Sequence, residues 1–405
     1  MSSLLTISKD LSLIIKKAST ITERLNCSST INANYKDDPQ IENRLQQWCQ
    51  VVAKGNLAKF EKRLAWDGLD IENLRPLMAD DIDVDDKESL PTWANTLEQL
   101  LDIARNIPRE QLFSPQPYLD PENPQPFEPF YIPCIQFAQQ ILWSKVGKLT
   151  DLLNPTAQAD LECSLLNRLV TICTSTLLDE FFSFRSSGND VQDFFSIRIR
   201  GHKSQEKYRA FIDKLFKDGL FSLFEEYAAL GRLVATAIDF WVEANAEFLN
   251  RLATDWSNIE QFTGKHTPLK EVVSIKASLS DPHNRGRSVY ALKFDTGLKI
   301  VYKPKSLGLD VAFYEFLSWC NQKNTQHQIL PFKIFQILNR SDYGWMEYVE
   351  SLPCEDETGA KHFYQRSGML LCLLHILETT DCHYENIIAH GEHPVLVDLE
   401  TLLHH

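Results

Sequence analysis

SVYALKFDTGLKIVYKP, residues 288–304, marks the point where the pattern of this 405-residue sequence changes. Upstream, apolar residues recur every three to four positions. From about residue 270 the period becomes 2, in short segments rich in β-branched and aromatic residues: EVVSIKASLS, SVYALKF, LKIVYKP, FKIFQIL and GWMEYVE. Turn residues join them, and one helical stretch, LDVAFYEFLSWCNQ (309–322), lies between the third and fourth. The expectation is an antiparallel sheet carrying a single helix. A hairpin centred near Thr296 pairs Lys303 with Val289. After the sheet, HFYQRSGMLLCLLHILETT (362–380) reads as an apolar helix running into DCHYENIIAHGEHPVLVDLETLLHH (381–405).

Everything before the sheet reads as helix and connector. Residues 41–66 place Ile41, Leu45, Trp48, Val52, Leu57, Phe60 and Leu64 at helical steps, an amphipathic pair split near Gly55. The acidic run ADDIDVDDKES (79–89) is aperiodic and reads as a solvated loop. In FSPQPYLDPENPQPFEPFYIPC (113–134), seven of the 18 prolines argue against helix and predict an extended connector. Residues 153–263 carry apolar stripes at helical spacing, the pattern of a packed bundle. The class is therefore α+β, with boundaries expected at 1–112 (helical, with the acidic loop), 113–134 (Pro-rich connector), 135–268 (helical bundle), 269–350 (small sheet lobe) and 351–405.

Composition narrows the function. With 43% hydrophobic and 24% charged residues the chain is globular. Its 41 basic against 55 acidic residues give a formal charge of -14, which repels phosphate backbones, so nucleic acid is excluded as a first partner. No apolar run approaches the ~20 residues that span a bilayer, and the N-terminus lacks the order of a secretory signal. Nine cysteines without a C-x-x-C pair read as reduced thiols in a cytoplasmic protein, with no zinc expected.

The last 25 residues concentrate chemistry. A hairpin turning near Gly391 and Glu392 sets Asn386 directly opposite Asp398, an amide oxygen and a carboxylate on one face. Such a pair suits Mg²⁺, a hard cation that takes one or two carboxylates plus water and phosphate oxygens. Asp381, in the loop before the hairpin, is within reach of a substrate hydroxyl. Phosphoryl transfer from ATP needs this set, plus a lysine on the nucleotide phosphates from a separate strand. Lys303 fits that role, beside the polar turn SDPHNRGRS (280–288), with Glu315 on the next helix as a carboxylate to orient it. GWMEYVE (344–350), which contains Glu347, falls where a two-lobed kinase has its adenine-reading hinge.

Taken singly, these residues have plainer uses. Asp and Asn near helix ends cap and form turns, and Lys303 alone is an ordinary strand lysine. A competing arrangement makes His383, His390 and His393 a transition-metal cluster. What favours phosphoryl transfer is the order: sheet, lysine, helix, strand, buried helix, D-x-H-x-x-N and hairpin Asp.

SDPHNRGRSV, IVYKPKSLGLD, YGWMEYVE and DCHYENIIAHGEHPVLVDLETL, behind a long helical N-terminal region, together resemble the dehydratase part of class II lanthipeptide synthetases, the LanM family. D-x-H-x-x-N alone is shared with phosphoinositide kinases and aminoglycoside-type phosphotransferases; PVLVDLETL with YKPKSL and DPHN is more specific. The resemblance implies a lipid-kinase-like small lobe and the start of a helical large lobe. It implies phosphorylation of Ser and Thr in a ribosomal precursor peptide with ATP and Mg²⁺, followed by elimination to dehydroamino acids. By the same resemblance Lys303 holds the ATP phosphates, Asp381 serves the hydroxyl, and Asn386 and Asp398 bind Mg²⁺. His383 supports that loop, Glu400 lies close to the metal, and Asp281 and His283 belong to the nucleotide-side loop.

LanM proteins continue past DLETL into the rest of the large lobe and a zinc-dependent cyclase. The expectation is a truncated or split-gene product, an enzyme only when completed, with a separately encoded C-terminal half as partner. The alternatives are a catalytically inactive remnant or leader-peptide-binding module, and a small-molecule phosphotransferase.

Overall fold

In the computed structural model, residues 9–26, 38–79, 90–186, 202–262, 268–277, 279–324 and 329–402 are described. The acidic run from 80 onward, and His404 and His405, lie outside them. The chain divides into two compact units, residues 1–141 with 165–242, and residues 142–164 with 243–405.

The helices in order are α1 (Lys9–Ala18), α2 (Ile21–Asn26), α3 (Pro39–Ala53), α4 (Leu57–Trp66), α5 (Ile71–Leu77), α6 (Thr92–Asn106), α7 (Glu128–Val146), α8 (Pro155–Ser186), α9 (His202–Leu215), α10 (Phe221–Glu226) and α11 (Ala228–Gln261). The expected split of 41–66 is present. Lys54 and Gly55 both take positive φ, and Asn56 caps α4 by accepting from the Lys59 N–H. Ile41, Leu45, Phe60 and Leu64 then bury one shared stripe.

The proline-rich reading needs correction at its C-terminal end. Residues 113–127 are mostly irregular apart from a short 3-10 turn at their start, but α7 begins at Glu128 and contains Pro129 and Pro133. A proline in the first turn forfeits an N–H that has no helical partner anyway. The Glu128 carboxylate accepts from the Gln125 N–H and fastens that end. Pro133 lies deeper, and its apolar neighbours Phe130, Tyr131, Ile132 and Cys134 are all essentially fully buried. Burial overrides helix propensity there.

The second unit holds the sheet: β1 (Val272–Lys276), β2 (Tyr290–Phe294), β3 (Lys299–Lys303), α12 (Gly308–Lys323), β4 (Ile337–Asn339) and β5 (Gly344–Glu347). All neighbours are antiparallel, in the order β1-β2-β3-β5-β4. The β2–β3 register pairs Tyr290 with Tyr302, as the hairpin reading required. FKIFQIL yields only a three-residue edge strand. Phe332 is instead tied to α12, where the Asn321 amide both accepts from its N–H and donates to its carbonyl, each at 2.8 Å.

Period-2 alternation gives the sheet two faces. Tyr290, Phe294, Tyr302 and Trp345 point toward the later part of α11, where Phe248 meets Tyr290 and Tyr302, and Trp256 meets Phe294. Asp255, with a side chain 1% exposed, accepts from Arg340 and from the Trp345 indole. Residues 243–261 thus complete the sheet lobe, although they sit inside a helix whose pattern is continuous from residue 228.

A second core lies on the opposite face. Met346 and Val349 pack with Phe313, Tyr314 and Leu317 of α12, with Leu370 and Leu374 of α13 (Glu357–Ile376), and with Val395 and Leu396. The last two belong to a two-stranded hairpin, β6 (Ile387–His390) and β7 (His393–Leu396). Arg366, 3% exposed, donates to the Glu392 backbone and carboxylate, fixing the hairpin turn to α13.

Candidate active site

Lys303 ends β3 on the face turned away from α11. Its Nζ donates to Asp310 Oδ1 at 3.0 Å and to the Val397 carbonyl at 2.7 Å, 94 residues away. The side chains of Lys303 and Asp310 are only 7% and 5% exposed. A buried ammonium needs this pairing, because an unpaired charge at that depth costs several kcal/mol. Glu315, expected to orient Lys303, is solvent-exposed instead. Asp310 and Glu315 are five residues apart, roughly 140° past a full turn of the helix, so only one of them can face β3.

The hairpin at 387–396 has a two-residue turn, with Gly391 at φ 59° and His390 opposite His393. Asn386 therefore faces Val397, whose N–H donates to the Asn386 carbonyl at 3.0 Å. The expected direct opposition of Asn386 and Asp398 is off by one residue. β7 has ended at Leu396, and the chain beyond it turns toward β3. There Lys305 donates to Asp398 at 3.0 Å and to Glu400 at 2.7 Å. Burial works against the Lys305 charge, but the two carboxylates outweigh it and raise its pKa.

Asp381 has a positive φ of 61°, a conformation costly for a residue with a Cβ. It is held by its neighbours: the Asn386 amide donates to the Asp381 carbonyl at 3.0 Å, and His383 Nε2 lies 3.1 Å from its carboxylate. The Thr401 hydroxyl donates to the Thr380 carbonyl, joining this loop to the segment that carries Asp398 and Glu400. The Asp381 side chain is 55% exposed, so its carboxylate is open to solvent.

Asp281 and His283 are also exposed, on a tight loop. His283 and Arg287 exchange both backbone hydrogen bonds, and Asn284, Arg285 and Gly286 all take positive φ. Arg287 forks onto Glu247 of α11 and Arg285 pairs with Glu243, so the loop is fastened to the helix. Glu347 donates its N–H to the Gln336 carbonyl within the β4–β5 edge. The segment after it continues the connection: Leu352 donates to the Ala389 carbonyl and Gly391 to the Leu352 carbonyl.

The three histidines of the competing metal arrangement have separate partners. His383 is on Asp381, His390 spans the Glu350 carbonyl and Lys333, and His393 lies beside Glu392. Among the described residues no three His, Cys, Asp or Glu side chains are grouped to hold a metal ion. The two donors that do gather, Asp398 and Glu400, are hard oxygens. Asp398 and Glu400 already close on one cation, the Lys305 ammonium, and the Asn386 amide gives its N–H to Asp381, leaving its oxygen to accept. Two carboxylates closing on one cation are donors of the kind Mg²⁺ takes, with water and phosphate oxygens filling the remaining positions.

Two residues that sequence reading passed over are central here, Asp310 and Lys305. Both stand in IVYKPKSLGLD. Lys305 repeats Lys303 at a two-residue step, which is a signal; for Asp310 only the start of α12, at Gly308, would have given its direction.

Among the described residues, no helix is long and apolar enough to cross a membrane. Residues 227–405 match the model of a family described as a domain of unknown function, DUF4135. The chain is also 27% identical over 212 residues to the lacticin 481/lactococcin biosynthesis protein LcnDR2 of Lactococcus lactis subsp. lactis. That alignment covers 50% of this chain and 22% of the relative, so the chain spans well under half of that protein's length. Residues 227–405 are thus similar to that family, and half of the chain is similar to part of a lanthipeptide biosynthesis protein.

Proposed function

We propose that the chain acts in lanthipeptide biosynthesis as a kinase-like dehydratase: it phosphorylates Ser and Thr of a ribosomal precursor peptide with ATP and Mg²⁺, and the phosphate is then eliminated. The observation that carries this reading is the Lys303 contact with Asp310 and the Val397 carbonyl, which brings the strand lysine beside the Asp398 segment. The name of the 27% identical relative supports the pathway. Use of ATP puts the reaction in the cytoplasm.

In the first step the substrate Oγ attacks the γ-phosphorus, an O–P bond forms, the bond to the bridging oxygen breaks and ADP leaves. Asp381 takes the hydroxyl proton, oriented by Asn386 and His383. Mg²⁺, when bound among Asn386, Asp398 and Glu400, supplies charge neutralisation for the phosphates. Lys303, fixed by Asp310, holds the phosphate end. In the second step the substrate Cα–H proton passes to a general base, its electron pair forms the Cα=Cβ bond, and the Cβ–Oγ bond breaks, releasing phosphate and leaving dehydroalanine or dehydrobutyrine. Asp281 and His283 stand on the nucleotide-side loop, which Arg287 and Glu247 preshape.

The test is to incubate the chain with ATP, Mg²⁺ and a lanthipeptide precursor, alone and with a complementary C-terminal fragment of a longer synthetase. Mass spectrometry should find peptide with added phosphate or lost water in at least one case. An unchanged peptide mass in both cases would sink the dehydratase reading, and phosphate transfer to an amino sugar instead would make the chain a small-molecule phosphotransferase.

A further inference from the structure

We propose that Lys305 is an exchangeable counter-ion: it holds Asp398 and Glu400 together in the absence of a divalent cation, and moves to the nucleotide phosphates when a divalent cation takes those carboxylates. The inference rests on the phosphotransferase reading and adds a second phosphate-binding lysine to it.

Lys303 and Lys305 stand at alternate positions around Pro304, and both reach the segment that follows β7. Their situations differ. Lys303 is 7% exposed and fixed between a buried carboxylate and a backbone carbonyl, so it has little freedom to change partners. Lys305 is 38% exposed, and its partners Asp398 and Glu400 are 39% and 61% exposed. Ion pairs this open to solvent contribute little, so breaking them costs little.

The charges are also unequal. One ammonium between two carboxylates leaves the seat with a residual negative charge. A divalent cation satisfies it more fully, and oxygen donors of this kind are what Mg²⁺ and Mn²⁺ prefer. Once displaced, Lys305 is a flexible point charge on a four-carbon stem at the edge of the seat, next to where phosphates coordinating the same ion must lie. Pro304 carries no N–H and fixes its own φ, which keeps this short span out of further strand pairing.

The exchange makes a prediction of opposite signs. With the folded full chain, Mn²⁺ binding is followed by electron paramagnetic resonance without nucleotide, and ATP binding by calorimetry at saturating Mn²⁺. Lys305→Met should bind Mn²⁺ alone several-fold more tightly, because the competing ammonium is gone, yet bind ATP about tenfold more weakly, the scale of one charge-assisted hydrogen bond. Lys305→Arg should restore wild-type behaviour in both titrations. A purely structural lysine would weaken both, or neither, and either result overturns the proposal. If the wild-type chain binds Mn²⁺ and ATP but Lys305→Met is unchanged, only the role of Lys305 falls. If the wild-type chain binds neither, the phosphotransferase reading falls and this inference with it.

Discussion

Lys303 Nζ lies 3.0 Å from Asp310 Oδ1, and both side chains are almost completely shielded from water. This pair couples β3 to α12 beneath the segment that carries Asp398. Removing one partner strands the other charge in the interior, which typically costs 3–5 kcal/mol. Asp310→Ala should therefore lower the thermal midpoint by many degrees and weaken ATP binding. Glu315→Ala, on the exposed side of the same helix, should stay within about 0.5 kcal/mol of wild type. Thermal denaturation of the two variants side by side checks the assignment.

The loop carrying Asp381 offers a second test. Its left-handed backbone is held by the Asn386 amide and by His383. Asp381→Asn keeps the side-chain shape but removes the proton acceptor, so phosphate transfer in an active preparation should fall about 10²–10⁴-fold with little change in stability. Under the proposed function, Asn386→Ala should also reduce transfer, through loss of both the loop restraint and an oxygen offered to Mg²⁺. Measuring ATP-dependent peptide phosphorylation beside thermal stability separates the two effects.

How far the sequence revealed this site depends on what each residue's position required. The β2–β3 hairpin was legible because alternating apolar strands flank a short turn ending in Gly297, which leaves one register that buries Tyr290 and Tyr302 on the same face. The Asn386–Asp398 hairpin was legible as an element but not in register. A turn of two residues rather than three moves every pair by one, and the terminal motif does not announce which it uses. Asp310 and Glu315 show the same limit for helices: both are acidic, both follow Lys303, and only helix phase chooses between them. The residues after 242 were missed as part of the sheet lobe because α11 is continuous in pattern, and only the aromatic contacts of Phe248 and Trp256 reveal what its later turns cover.

Acid sensitivity should come partly from His393. Burial, with Arg366 nearby, lowers its pKa from the ordinary 6.5 to about 4. The folded imidazole stays neutral where the unfolded one gains a proton. Its contribution is thus fully present above pH 6.5 and is lost as the pH falls toward 4, at most about 3 kcal/mol. His393→Phe should flatten stability over that window, as read by chemical denaturation at pH 7, 5.5 and 4.5. An equally steep decline in the variant would assign the effect elsewhere.

Asp255 should govern a more acidic range. Burial opposes its ionisation, but hydrogen bonds from Arg340 and Trp345 outweigh that and hold its pKa below the ordinary value. A depressed carboxylate stabilises the fold above its unfolded pKa of about 3.9, and the benefit disappears as the pH drops through the folded value. Asp255→Asn should be less stable at neutral pH and should show a shallower acid transition below about pH 4. Trp345 fluorescence, adjacent to the substitution, follows both.

Gly344 tests how tightly the lysine strand is placed. It pairs with Lys303 on one side and Asn339 on the other, and an added Cβ would sit 2.5 Å from Leu307 Cδ1 and 2.9 Å from the Leu338 carbonyl. Leu307 is fully buried, and its N–H is fixed by the Asn339 side chain at 2.9 Å, so it cannot swing aside. Gly344→Ala must push either β4 or the Leu307 turn outward. Overpacking of this kind costs about 1–3 kcal/mol. Because Leu307 precedes α12, which carries Asp310, the displacement should also loosen the Lys303–Asp310 pair. The expected result is a lower thermal midpoint together with weaker ATP binding, whereas Gly297→Ala, at a positive-φ turn with open space around it, should cost stability but leave ATP affinity unchanged. A Gly344→Ala protein that loses stability yet binds ATP as wild type would show that β5 and the lysine pair are not mechanically linked.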